Sequence, residues 1–332
     1  VARAAGVSTT TASDALNGRG RCSPETRERV VRLAEKLGYR ANPSARSMRS
    51  QSTGIVAVMA RIEREATWSA GDLEFLTRIT QEISTVAWDL GYFPTLVPST
   101  ATLESLARLP LEGMVVIDPI GIDPVCVLLD DREIPYVCVS PDDDMREVGR
   151  CSWVDNDAQA LTRSLLDALT RRDGRTALMV ATESHQRYLT DPVAAFRRWV
   201  DETGNEGRVL LLPSDSDTTT CYDQVLSACT GGTVDLLYIA AEILAAPTLH
   251  AVRQAGLSVP GDLQIVAASD GLYARSAMPA LTCIDLMPEE LGRAATEMLD
   301  GLLAGADPTS LIVDGQIRWR SSTSASMSST IR

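Results

Sequence analysis

From residue 54 onward the sequence repeats one pattern, and that pattern leaves few folds open. A short apolar run is followed by about ten to fifteen residues at helical spacing, several times in succession. The runs fall at 54–59, 93–97, 113–117, 135–139, 176–180, 209–212, 236–239 and 263–267. Between the first two, residues 76–90 place Ile79, Ile83, Val86 and Leu90 on one helical face. Strands alternating with helices predict doubly wound, parallel α/β sheets. About 270 residues of this kind exceed one hydrophobic core, which predicts two lobes.

The first fifty residues have a different texture. Val1–Ala5 is Ala-rich and ends at Gly6. Ser8 is an N-cap for a helix over Thr9–Leu16, which Asn17-Gly18 stops. After a loop, Ser23-Pro24 supplies a cap followed by proline at the first helical position. Val30, Leu33, Ala34 and Leu37 then form one apolar face that Gly38 closes. Two helices joined by a tight glycine-containing turn and braced by a third make a helix-turn-helix. Residues 42–53 read as a hinge or linker, and 321–332, rich in Ser and Thr, as a disordered tail.

Charge separates the same two regions. Residues 1–50 hold ten Lys/Arg and four acids, a surplus of six positive charges; the remainder holds 21 basic and 40 acidic residues. A small basic module on an acidic body suits a polyanion contact confined to one end. The seven cysteines are odd in number and include no C-x-x-C, so reduced thiols without a metal site are expected. His185 and His250 accompany no nucleophile motif, and GxGxxG, Walker A, GxSxG and HExxH are absent, which argues against an enzyme and implies no cofactor. Neither an apolar run of membrane-spanning length nor a leader-like start is visible, so a cytoplasmic protein is expected.

Residues 1–8 (VARAAGVS), Thr11-Ala12-Ser13, Ala15-Leu16-Asn17-Gly18 and Ser23-Pro24-Glu25-Thr26-Arg27 come in an order that resembles the lac-repressor (LacI/GalR) family of bacterial regulators. The match resumes at Leu37-Gly38-Tyr39-Arg40 and at 42–48, with echoes at 259–262, 279–282 and 320–323. The resemblance implies a lambda-repressor-like headpiece over 1–41, a hinge helix, and a two-lobed periplasmic-binding-protein-like core over 54–320. The first lobe would comprise about 54–155 and 285–313, the second about 156–284 and 314–320, with crossovers near 155–156, 284–285 and 313–314. It implies a homodimer on a palindromic DNA operator, probed by a small-molecule effector between the lobes. Tetrameric relatives carry a leucine-rich C-terminal helix, which the Ser-rich tail lacks. The sequence begins at Val1, inside what the resemblance makes the first helix, so that helix is expected to be short.

By the same resemblance Thr9–Leu16 lies in the major groove, with Thr9 and Thr10 toward base edges. Ser8, Thr11, Ser13 and Asn17 match phosphate-holding positions, and Arg21 and Ser23 extend the DNA-facing set. Asp14 departs from the pattern: it can accept from a cytosine amino group or pair with Arg3 or Arg21, and the internal pair is the favoured reading. In the hinge, Ala45 faces the minor-groove floor and Met48 replaces the leucine that wedges between base steps. Candidate effector contacts are Phe75, Asp118, Asp155, Arg187, Glu242, Ser269 and Asp270. Ser269 stands where relatives carry a ligand-holding aspartate, the arginine near 190 is shifted to Arg187, and Arg172-Asp173-Gly174 lacks a common histidine; these departures weigh against a sugar. A solute-binding protein with the same core, or a regulator with a non-sugar or protein effector, are the alternatives.

Overall fold

The computed structural model describes residues 1–16, 22–36, 53–61, 70–148, 151–169 and 176–324. They fall in two units, Val1–Gly54 and Ile55–Arg332.

In the first unit, α1 (Ala2–Ala5), α2 (Thr9–Leu16) and α3 (Pro24–Lys36) are short helices with explicit stops and starts. Gly6 takes a left-handed conformation (φ 65°), and the amides of Gly6 and Val7 return to the carbonyls of Arg3 and Ala2. Residues with a Cβ pay for that conformation, so glycine fits the turn. The Ser8 hydroxyl accepts from the Thr11 amide at 3.0 Å, and Ser23 accepts from Thr26 at 3.3 Å. Both serines therefore cap helices, α2 and α3 respectively. Among the described residues of this unit the buried set is Ala5, Ala12, Ala15, Val30 and Ala34, mostly methyl groups.

The second unit contains two six-stranded sheets. Strands β1 (Ile55–Ala60), β2 (Phe93–Leu96), β3 (Gly113–Ile117), β4 (Tyr136–Val139), β5 (Ser152–Asp155) and β11 (Ser310–Ile312) form the first, in the order 11-5-4-3-1-2, all parallel. Strands β6 (Thr176–Thr182), β7 (Glu206–Leu212), β8 (Leu236–Ile239), β9 (Gln264–Ala267), β10 (Thr282–Asp285) and β12 (Gln316–Arg318) form the second, in the order 12-10-9-8-6-7. Among the described strands only β12 runs antiparallel, against β10. Strand alternation splits the apolar residues between faces. Val56 and Val58 pack with Ile79, Leu291 and Leu299, while Ala57 and Met59 pack with Met114, Cys126 and Leu129 on the other side.

Helices cover both faces of each sheet. In the first lobe these are α4 (Ala70–Asp89), α5 (Leu103–Ala107), α6 (Pro124–Asp131) and α7 (Asp143–Arg146). In the second they are α8 (Ala158–Leu169), α9 (Arg187–Thr203), α10 (Thr218–Thr230), α11 (Ala245–Gln254) and α12 (Leu272–Ser276). The chain then returns to the first lobe as α13 (Pro288–Leu303), whose Gly292 lets it approach α4 closely: an added Cβ would sit 2.8 Å from the Ile79 carbonyl oxygen. Crossings between sheets occur after β5, after β10 and between β11 and β12. The first and the third are tied together where the Asn156 side-chain amide donates to the Val313 carbonyl at 2.9 Å and the Val313 backbone amide donates to the Asp155 carbonyl at 2.8 Å.

Two readings of the sequence need correction. Helix α4 starts at Ala70, before the apolar face that begins near Leu76, because a helix can extend beyond its buried stripe. Residues 321–324, expected in a disordered tail, are docked on the second sheet. Ser322 donates to the Ile265 carbonyl at 2.6 Å and accepts from the Thr282 amide at 2.8 Å, while Thr323 meets the Thr282 hydroxyl at 2.8 Å. Small hydroxyls that read as polar linker satisfy buried backbone groups here. Residues 325–332 lie outside the described residues. All seven cysteines are free, and every one but Cys22 is buried.

Candidate functional sites

The headpiece presents the start of α2 to solvent: Ser8 and Thr9 are exposed and Thr11 half-buried. Ser8 and Thr11 hydroxyls lie 2.8 Å apart, and Ser23 and Thr26 hydroxyls 3.0 Å apart, so both capping serines have a second hydroxyl beside them. Thr10, Ser13 and Asp14 sit on α2, with side chains outside the described residues; Asn17, Arg21, Ala45 and Met48 lie outside them altogether.

In the core, strand order dictates where a ligand can sit. The first sheet reverses direction of build between β1 and β3, the second between β6 and β8. A crevice opens outside the C-terminal ends of strands at such switch points. A cavity of about 710 Å³, its solvent-open part included, occupies both, between the lobes. Phe75, Asp118 and Ser140 face it from the first lobe; Gln186, Glu242 and Ser269 face it from the second. Asp118 and Ser140 directly follow β3 and β4, and each has a φ of 52°. Left-handed backbone at non-glycine residues costs about 1–3 kcal/mol and concentrates at functional sites.

Glu242 is a buried acid in the wall of the cavity. Its carboxylate accepts from the Tyr273 amide at 2.9 Å and from the Ser269 hydroxyl at 3.4 Å. Gly271 makes room for it, since a Cβ there would sit 1.5 Å from the carboxylate oxygen. Thus four of the residues singled out from sequence, Phe75, Asp118, Glu242 and Ser269, come together at one cavity.

Three others do not line it. Asp270 turns toward Arg320, which meets it at 2.7 and 2.9 Å, and lines a smaller side cavity of about 300 Å³. Asp155 is buried and paired with Arg146; burial pushes its carboxyl up, against the pull of Arg146 and of the Asn156 amide. Arg187 pairs with Asp191 at 2.8 Å and with Asp143. Burial would lower its pKa, but these acids outweigh that and raise it, so it stays charged. A buried charge needs a partner, and these three are engaged in holding the fold.

Two of the ion pairs cross the cleft. Arg187 on α9 reaches Asp143 on α7, and Arg275 on α12 reaches Glu74 on α4 at 2.6 and 2.8 Å. Gln186 also donates to the Arg61 carbonyl at 3.1 Å, while Arg61 pairs with Asp123 at 2.6 Å. Gln186, Tyr188, Asn156 and Ser140 were not anticipated as cavity residues. The signal for Ser140 was its place directly after an apolar run. Loop shape and the first turn of α9 decided the rest.

Residues 1–42 match the bacterial regulatory proteins of the lacI family, and residues 166–323 match the periplasmic binding protein-like domain. The HTH-type transcriptional regulator CelR of Thermobifida fusca is 26% identical, with 97% of this chain and 96% of that protein covered. The HTH-type transcriptional regulator MalR of Staphylococcus xylosus is 22% identical, over 92% of this chain and 90% of that one. The solved CelR–cellobiose complex superposes with a TM-score of 0.69 at 23% identity, covering 97% of this chain and 98% of that chain. The lac repressor dimer bound to operator and the anti-inducer ONPF gives 0.69 at 17% identity, over 98% of both. At these identities the superpositions establish a shared fold.

Proposed function

We propose that this chain, whose residues 1–42 match the bacterial regulatory proteins of the lacI family, is a homodimeric, cytoplasmic repressor released from its operator by a neutral, hydroxyl-rich small molecule. The carrying observation is the interlobe cavity, walled by Asp118 from one lobe and Glu242 from the other. A ligand held by both lobes favours one arrangement of them, and only such differential affinity lets it move an equilibrium. Carboxylates together with Ser140, Asn156 and Gln186 can pair with hydroxyl groups, while Phe75 and Leu286 cover apolar ring faces. Glu242 against Ser269 supplies the carboxylate that serine alone lacks, which answers the sequence argument against a sugar. One relative was solved with cellobiose, a ligand of that chemistry.

On the DNA side, α2 enters the major groove with Thr9 and Thr10 toward bases, and Ser8, Thr11 and Ser13 toward phosphates. Asn17 and Arg21 extend the backbone contacts, and Ala45 and Met48 take the minor groove.

The test is anisotropy titration of the full chain on palindromic fragments across a salt series, with and without cellobiose. Affinity is expected to fall steeply as salt rises, because phosphate contacts release counterions. Cellobiose is expected to weaken binding, and Glu242→Gln to blunt that effect by about tenfold, since hydrogen bonds to charged groups contribute about 1.5–3 kcal/mol. Salt-independent binding, or none to any fragment, would overturn the regulator reading.

A further inference from the structure

The turn after β8 has two sides. Ala240 and Glu242 face the interlobe cavity, whereas Ile243 and Leu244 line a second one, of about 1210 Å³ with its solvent-open part included, lying wholly on the second lobe. This outer cavity sits at the C-terminal ends of β6 and β7, which pair in register up to Thr182 and Leu212. The two loops leaving those strands form its walls, again the ligand-receiving edge of a parallel sheet. The two cavities adjoin, sharing Gln186, Tyr188, Leu189 and Ala241.

The lining chemistry is specific. The floor is apolar, with Leu212, Leu244 and Pro247, and the rim carries serine and threonine hydroxyls with Glu183, Asp215 and Asp217. Among the described residues no Lys, Arg or His lines it. Asp217 accepts from the Thr220 amide at 2.7 Å, which holds its carboxyl below the usual carboxylate range and keeps it charged. Such a surface accepts hydrogen bonds from hydroxyls, covers an apolar ring face, and repels phosphorylated or acidic compounds.

We infer that the outer cavity is a second subsite for the cleft ligand, taking the far end of an elongated neutral polyhydroxy compound, a linear oligosaccharide of three or more units. The inference rests on the hydroxyl-rich effector proposed above. Tyr188 and Leu189, half-buried in the shared wall, are the ridge over which such a ligand passes from one cavity to the other. Because the outer cavity belongs to one lobe, it adds affinity without adding interlobe closure.

The experiment is calorimetry of the full chain with linear glucose oligomers of one to five units, in both β-1,4 and α-1,4 linkage. In one linkage, affinity is expected to rise by about tenfold or more, 1.4 kcal/mol, between two units and four. Asp215→Trp, a substitution at an exposed loop residue, is expected to abolish that gain and leave the two-unit affinity unchanged. A four-unit oligomer ending in a uronic acid is expected to bind no better than the two-unit one. Affinity that is flat with length, a gain that survives Asp215→Trp with an unchanged melting curve, or tighter binding of a polyamine than of any oligomer would overturn the outer subsite. If no oligomer of any length binds, the carbohydrate reading of the cleft falls with it; binding of short oligomers alone spares that reading.

Discussion

Among the described headpiece residues the buried side chains are Ala5, Ala12, Ala15, Ala34 and Val30, whereas the second lobe alone buries Phe196, Trp199 and Tyr238. Burying a valine contributes about 1.5–3 kcal/mol, and an alanine methyl far less. The headpiece therefore depends on chain geometry, on the left-handed Gly6 and the two serine caps, for a structure its small core holds marginally. The core depends on area, with apolar side chains packed on both faces of both sheets. A motif governs one region and a pattern governs the other. DNA-reading helices can be short and marginal when their termini are exact, while a cleft needs two rigid walls.

The largest effects should come from cutting each core. Phe196→Ala removes a ring that is 1% exposed and is expected to cost the second lobe about 3–5 kcal/mol. All five tryptophans lie beyond residue 54, so their fluorescence reports the core alone. Val30→Ala, the loss of two methyl groups, is expected to abolish operator binding while leaving the tryptophan transition in place. If Val30→Ala moved the tryptophan transition as far as Phe196→Ala does, the two regions would share one cooperative core.

A smaller but more selective effect is expected at Gly271. Alanine there collides with the Glu242 carboxylate and must displace it. Operator affinity without ligand should remain, and release by ligand should weaken as much as with Glu242→Gln. Full release in Gly271→Ala would remove Glu242 from the ligand's contacts.

Acid sensitivity follows next in size. The Arg78 guanidinium, 2.7 Å from Glu289, holds that carboxyl below its ordinary value of 4.5. A lowered carboxylate stabilises the fold above the unfolded value and loses that contribution as pH falls through the window below about 4.5. The pair joins α4 to α13, so Glu289→Gln is expected to flatten the acid limb of the core transition. Both groups are partly exposed, so the change should be modest. An acid limb unchanged by Glu289→Gln would locate the sensitivity elsewhere.

The same contrast explains what the sequence disclosed. Glycine, serine and proline at element ends predict α2 and α3 because capping is a local interaction between neighbours in sequence. The α/β class is legible because apolar strands and periodic helices each carry their own period. The cleft is less legible, since its chemistry depends on how charged side chains pair after folding. Asp155, Arg187 and Asp270 were as plausible in sequence as Glu242, yet pairing with Arg146, with Asp143 and Asp191, and with Arg320 respectively leaves them outside the lining of the interlobe cavity. Gln186 was invisible because nothing in a loop's composition says which of its side chains turns inward. Residues 322–323 show the reverse error, where small hydroxyls that look like a linker satisfy a buried edge.

The smallest predicted effect is also the most direct comparison. Ser23 caps α3 in the headpiece and Asp217 caps α10 in the core, each through one bond to an amide three residues on. Replacing either by alanine should cost about 1 kcal/mol, within a range of about 0.5–2. An equal cost does not give an equal shift in melting temperature. Unfolding entropy grows with size, so 1 kcal/mol moves a domain of about 60–100 residues by about 4–8 °C and one of about 150–250 by about 2–4 °C. Ser23→Ala should therefore lower the headpiece midpoint, followed by helical circular dichroism, by about twice the shift that Asp217→Ala causes in the tryptophan transition. Equal shifts in one shared transition would mean that headpiece and core unfold as a single unit, and the contrast between motif and pattern would then be one of sequence texture alone.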